Sequence, residues 1–159
     1  MGANLYLNSS FKKNYDKYGP KIEHWASRRD ALWKAGKEKE ANEAQRKMVK
    51  YFAKMQEQWY FRDSYNDTSL LWLFDISWWV DVLDVLTDEN TNMSPSNAKR
   101  FLNILKEHES YFETNLKRVD VTWSGSRAEI EKYFRGKYEN LKNLLKEAID
   151  KKEHIECML

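Results

Sequence analysis

The chain has 159 residues, 42% of them hydrophobic and 33% charged, with 27 Lys+Arg against 25 Asp+Glu and a net charge of +2. That length fits one domain able to bury a core, and the balance of apolar and charged residues excludes a disordered tail or a membrane protein. Two prolines and five glycines give little punctuation, so long helices are expected over many short strands.

The charge is unevenly spread. Residues 1–58 carry 13 basic against 7 acidic side chains, residues 59–94 carry 1 against 7, and residues 95–159 carry 13 against 11. A duplex-DNA binder would gather its basic excess on one element; here acids interleave with the bases, so no duplex nucleic acid is expected as a partner. The lone cysteine, Cys157, excludes an internal disulfide. The start MGANLYL lacks a basic segment followed by a long apolar run, so no signal peptide is expected. The apolar run Leu70 to Leu86 is interrupted by Asp75, Asp81 and Asp84, which argues against a spanning helix. The expected location is therefore cytoplasmic, with no membrane partner.

In chain order, Asn4 to Leu7 alternates weakly and suits a short extended segment. Gly19-Pro20 predicts a break with Pro20 opening a helix. Ile22, Trp25, Ala26, Arg29, Leu32 and Trp33 then recur at helical spacing up to Gly36, and Ala41, Ala44, Met48, Phe52, Met55 and Trp59 do so after it. The short joint predicts an antiparallel helical hairpin. YFRDSYND shows no helical period, and its Asp67 or Thr68 is a candidate cap for a short helix over Leu70 to Phe74.

Asp75-Ile76-Ser77 predicts a kink or second cap, and Trp78 to Leu86 another helix. Asp75, between Phe74 and Ile76, would need a partner if buried, and capping the Trp78 helix is its nearest use. TDENTNMSP is a polar loop, closed by Ser94 as N-cap with Pro95 at the first helical position. Ala98, Phe101, Leu102, Leu105, Phe112 and Leu116 mark one face of a single long helix, which VDVTWSG ends. Ser126 and Glu129 have capping-box spacing before a last long helix to Ile149. The tail HIECML is β-compatible and can lie beside NLYL. The expected fold is mostly α: a compact single-domain bundle of about four long helices with short central helices, and room for a small terminal two-stranded ribbon.

No standard catalytic motif is present. His24, His108 and His154 lack partners at metal-ligand spacing, and WSGSR lacks the second glycine of a nucleophile elbow. Asp81, Asp84 and Asp88 share a helical face and read as a solvated acidic stripe rather than a cation site. No metal or cofactor is expected. An enzyme using Asp63, Asp75 or Asp81 as acid or base is the weaker alternative, since no base–nucleophile pair is recognisable in the sequence.

The informative inventory is Tyr60, Phe61, Arg62, Asp63, Ser64, Tyr65 and Asn66, with Trp72, Trp78 and Trp79 as further walls. Aromatic faces can stack on a planar ligand, and a guanidinium can grip a phosphate or carboxylate with two hydrogen bonds. Packing is the alternative: Arg62 and Asp63 satisfied internally while the aromatics plug the bundle.

The blocks MGANLYL, YFRDSYN, LLW, SWWVDV and IECML, with their spacing, make the chain resemble a family of small phage and prophage proteins that carry no assigned function. The resemblance runs from end to end. Such proteins usually have Gly-Leu where this chain has Asp75-Ile76, and Ser where Met158 stands. Because the blocks are the two termini and the aromatic-arginine segment, those parts are expected to converge on one site that includes Tyr6. The functional expectation is a non-catalytic protein that binds a small anionic or nucleotide ligand and withholds it from the host. The alternative is an interaction module that inhibits a host protein through an exposed aromatic patch.

Overall fold

The computed structural model describes residues 2–57, 59–64, 69–119 and 126–158. Contacts group the chain into two compact units, Ser9–Trp59 as one and Met1–Asn8 with Tyr60–Leu159 as the other.

The first unit is the expected helical hairpin. Helix α1 (Asn8–Lys34) and helix α2 (Glu38–Met55) are joined at Gly36, whose φ of 71° lies in the left-handed region that glycine enters without penalty. The helices are clasped by polar contacts. Arg29 Nη1 donates to Gln45 Oε1 at 2.8 Å, Lys47 Nζ sits 4.3 Å from the Trp25 ring centroid, and Asn14 Nδ2 donates to the Met55 carbonyl at 3.3 Å. Pro20 corrects the sequence reading, because α1 runs straight through it. A proline normally expels its predecessor from helical geometry through a clash involving that residue's Cβ. Gly19 has no Cβ, and Pro20 itself is exposed, so the helix continues at the cost of one backbone hydrogen bond.

The second unit holds a sheet and the remaining helices. Strands β1 (Gly2–Leu7), β2 (Tyr60–Ser64), β3 (Asn92–Met93) and β4 (Ile155–Met158) form an antiparallel sheet of order β2-β1-β4-β3. The terminal ribbon of β1 and β4 is there, and two strands that the sequence did not announce extend it to four. Alternation sorts each strand: Ala3, Leu5, Leu7, Phe61, Asp63, Met93, Ile155 and Cys157 point inward and are buried. Gly2 faces Ser64 across the β1–β2 ladder, where a Cβ would collide with the Asp63 backbone carbonyl.

Behind the sheet lie α3 (Leu70–Leu73), a π-helical segment Trp78–Leu83 running into α4 (Asp84–Leu86), then α5 (Pro95–Glu107), α6 (Glu109–Leu116) and α7 (Arg127–Lys151). Several start signals read from sequence are in place. Ser94 accepts from the Asn97 amide at 3.2 Å with Pro95 in the first turn, and Ser126 and Glu129 form a reciprocal capping box. The single helix expected over residues 98–116 is instead split at His108. The His108 Nδ1 lies 2.8 Å from the Phe74 carbonyl oxygen, and Asn115 Nδ2 donates to the Leu73 carbonyl at 3.1 Å, so α6 satisfies carbonyls orphaned at the end of α3. The core closes around Phe74, stacked on Phe112 at 4.7 Å and edge-on to Tyr138 at 4.8 Å; a buried ring of this kind contributes about 1.5–3 kcal/mol. A left-handed Lys152 ends α7 and turns the chain into β4.

Candidate functional site

The segment read as having no period has the period of a strand. In β2, Phe61 and Asp63 face the core while Tyr60, Arg62 and Ser64 face outward. The candidate residues are thus divided between two faces, and Tyr65 and Asn66 lie outside the described residues, as do Asp67 and Thr68.

Asp63 is the buried carboxylate of this unit. Its Oδ1 accepts from the Leu70 amide at 2.9 Å and from Lys137 Nζ at 2.6 Å; its Oδ2 accepts from the Trp78 indole Nε1 at 3.0 Å and the Leu71 amide at 3.3 Å. Four donors leave it no capacity for a substrate proton, so Asp63 is not a reachable acid or base. It ties β2 to the start of α3, to Trp78 and to α7. Trp78 is likewise structural in large part, packed edge-on to Phe101 at 6.1 Å.

Asp75 takes neither structural role foreseen for it, buried carboxylate or helix cap. It is exposed, with a φ of 58°. The cap of the π-helical segment is Ser77, whose hydroxyl accepts from the Val80 amide at 3.3 Å while Asp81 Oδ2 accepts from the Ser77 amide at 2.7 Å. Ser69 caps α3 in the same way, accepting from the Trp72 amide at 3.1 Å. Asp88 spends Oδ1 on the Asn90 and Asn92 amides. Among the described residues no group of three His, Cys, Asp or Glu side chains is placed to hold a metal ion.

On the outward face, strand register makes two rows. Arg62, Asn4 and Met158 form one; Tyr60, Tyr6, Glu156 and Asn92 form the next. Directly opposed side chains on neighbouring strands stand about 4.5–5.5 Å apart at Cβ. The Tyr60 hydroxyl donates to Asn4 Oδ1 at 2.5 Å. Tyr6's hydroxyl lies 2.9 Å from Met158 Sδ and also bonds the Glu156 carboxylate, the stronger acceptor. Burial, then that carboxylate, push the Tyr6 phenol up to about 12. Burial raises Tyr60 too, with the Arg62 charge pulling the other way. Arg62 itself is exposed, and among the described residues it has no hydrogen bond or ion pair. The two internal fates foreseen for the Arg62–Asp63 pair have separated: the acid is saturated, whereas among the described residues the base has no acceptor. Tyr6 does join Tyr60 and Arg62, as expected of converging termini.

Trp72 and Trp79 are 44% and 53% exposed and line a cleft of about 370 Å³ with Ser69, Asp75, Ile76, Ser77, Trp78 and Asp81, a lining that holds no residue of the sheet. Sequence reasoning missed Asn4 and Glu156 on the sheet face and Lys137 beside Asp63. Alternation in NLYL and IECML places Asn4 with Tyr6 and Glu156 with Met158; for Lys137, one of 27 basic residues, no local signal exists.

Compared with family models, curated proteins and solved structures, the chain matches none.

Proposed function

We propose that the protein is a binding protein for a small anionic, nucleotide-like ligand, held on the outward face of its sheet. The observation that carries this reading is Arg62, an exposed guanidinium with no acceptor among the described residues, one row away from Tyr60 and Tyr6. Arg62 takes the phosphate through paired hydrogen bonds, and the tyrosine row offers ring surface to the base. Asn4, opposite Arg62, adds a directional amide. No catalytic step is assigned to this face. The sequence's likeness to phage proteins extends the reading to a host nucleotide signal withheld from its receptor.

Calorimetric titration with a panel of mono-, di- and cyclic nucleotides tests it. A charge-assisted hydrogen bond contributes about 1.5–3 kcal/mol, so Arg62→Ala is expected to weaken binding roughly 10- to 100-fold. Absence of binding across the panel, or equal affinity in Arg62→Ala, overturns the reading.

A further inference from the structure

The cleft between α3 and the π-helical segment is chemically opposite to the sheet face. We infer that it is a second binding site, for an alkylammonium group of the trimethylammonium type. Its volume of about 370 Å³ lies within the range of small-ligand sites. Its walls are indoles: Trp72 and Trp79 are both about half exposed, although a tryptophan free to pack would bury its ring. Trp78 lies in the floor, and its indole N–H is committed to Asp63, so the cleft meets its carbon framework.

Polarity selects the sign of the ligand. The lining includes two carboxylates, Asp75 and Asp81, and no Lys, Arg or His. Both serine hydroxyls are engaged as helix caps, and Asp81 has spent one oxygen on the Ser77 amide. The Asp75 carboxylate has no hydrogen bond or ion pair among the described residues, and is turned out by a left-handed backbone. The surrounding residues 59–94 hold a single basic side chain against seven acidic ones. The two lining carboxylates, with no cationic side chain to offset them, oppose an anion there. A hard divalent cation wants six or more oxygens, which indole walls do not supply, whereas a soft, weakly hydrated alkylammonium is attracted by indole faces and by an adjacent carboxylate at once.

The test uses the full chain and the Trp72 and Trp79 indole Nε1–H resonances, with the Trp78 Nε1–H resonance reporting that the Asp63 hydrogen bond and the fold are intact. Tetramethylammonium and choline are titrated beside 3,3-dimethylbutanol, the uncharged isostere of choline. Saturable shifts at Trp72 and Trp79 with both cations are expected, and weaker binding of the alcohol. Trp72→Ala is expected to weaken choline binding about 2- to 30-fold, the span of one cation–π contact. Asp75→Asn, isosteric and exposed, should weaken choline while leaving the alcohol unchanged. Phosphatidylcholine vesicles form a second arm: co-sedimentation lost in Trp72→Ala assigns the headgroup to lipid, and choline binding without co-sedimentation assigns it to a free compound. Equal affinity for choline and its neutral isostere, an unchanged Asp75→Asn, or no saturable shift with either cation at about 10 mM overturns the inference. None of these outcomes depends on Arg62 or on nucleotide binding.

Discussion

Replacing Asp63 by alanine takes one carboxylate from a site where four donors converge. Its side chain is fully buried, and its partner Lys137 is only 14% exposed. The variant leaves an ammonium largely cut off from water, with the Leu70 and Leu71 amides and the Trp78 indole N–H unsatisfied. Breaking a buried pair from one side costs about 3–5 kcal/mol, a large share of the 5–15 kcal/mol typical of a folded domain. At roughly 2–4 °C per kcal/mol for a chain of this size, Tm should fall by about 6–20 °C. Lys137→Met is milder, about 1–3 kcal/mol, because three N–H donors still solvate the carboxylate. Urea unfolding of Asp63→Ala, Lys137→Met and the double variant, followed by circular dichroism, measures the ordering. The double variant should be more stable than the sum of the two single losses predicts. A cost below about 1 kcal/mol for Asp63→Ala, or a larger cost for Lys137→Met than for Asp63→Ala, would refute the role given to this carboxylate.

Three further outcomes follow from the same packing. Ultraviolet titration should show Tyr6 ionising near pH 12, against about 10 for an ordinary phenol; the folded state favours the neutral form, so this contribution to stability is complete below about pH 10 and is lost as the pH rises through 12. Glu156→Gln should lower that midpoint only partway, since burial is the larger cause. Cys157 is buried and its thiol is pushed up to about 12, chiefly by burial; a disulfide reagent at pH 8 should leave it untouched in the native protein and modify it in urea, and rapid native modification would contradict its inward position. Gly2→Ala should cost about 1–3 kcal/mol, because the new methyl meets the Asp63 carbonyl across the β1–β2 ladder; an unchanged urea midpoint would show that the ladder yields.

The starts of α5 and α7 were legible because capping is local: Ser94 with Pro95, and Ser126 with Glu129, carry their partners within three residues, whereas Pro20 opens no helix. The amphipathic faces and the hairpin turn at Gly36 were legible for the same reason. The break at His108 was not, because its cause, the Phe74 carbonyl, lies 34 residues away. Strand β2 was hidden because in YFRDS the inward residues are a phenylalanine and an aspartate, so alternation in position is not alternation in hydrophobicity. That same substitution misdirected the search for the buried acid. Asp75 sits between apolar neighbours in sequence and is exposed, whereas Asp63 sits between Arg62 and Ser64 and is enclosed. Of the candidate site, Tyr6, Tyr60 and Arg62 are neighbours on one sheet face, whereas Trp72, Trp78 and Trp79 stand on α3 and the π-helical segment and line a cleft that holds no strand residue.

The central claim is that the outward face of the sheet receives an anion at Arg62, and amide and side-chain resonance mapping during nucleotide titration tests it most directly. The account predicts shifts at the Arg62 Nε–H and at Asn4, Tyr6 and Tyr60, with Leu5 and Phe61 side chains on the opposite face unmoved and roughly 10- to 100-fold more nucleotide needed for saturation in Arg62→Ala. Shifts that bypass Arg62 while centring elsewhere, or that saturate at the same concentration in Arg62→Ala, would contradict it.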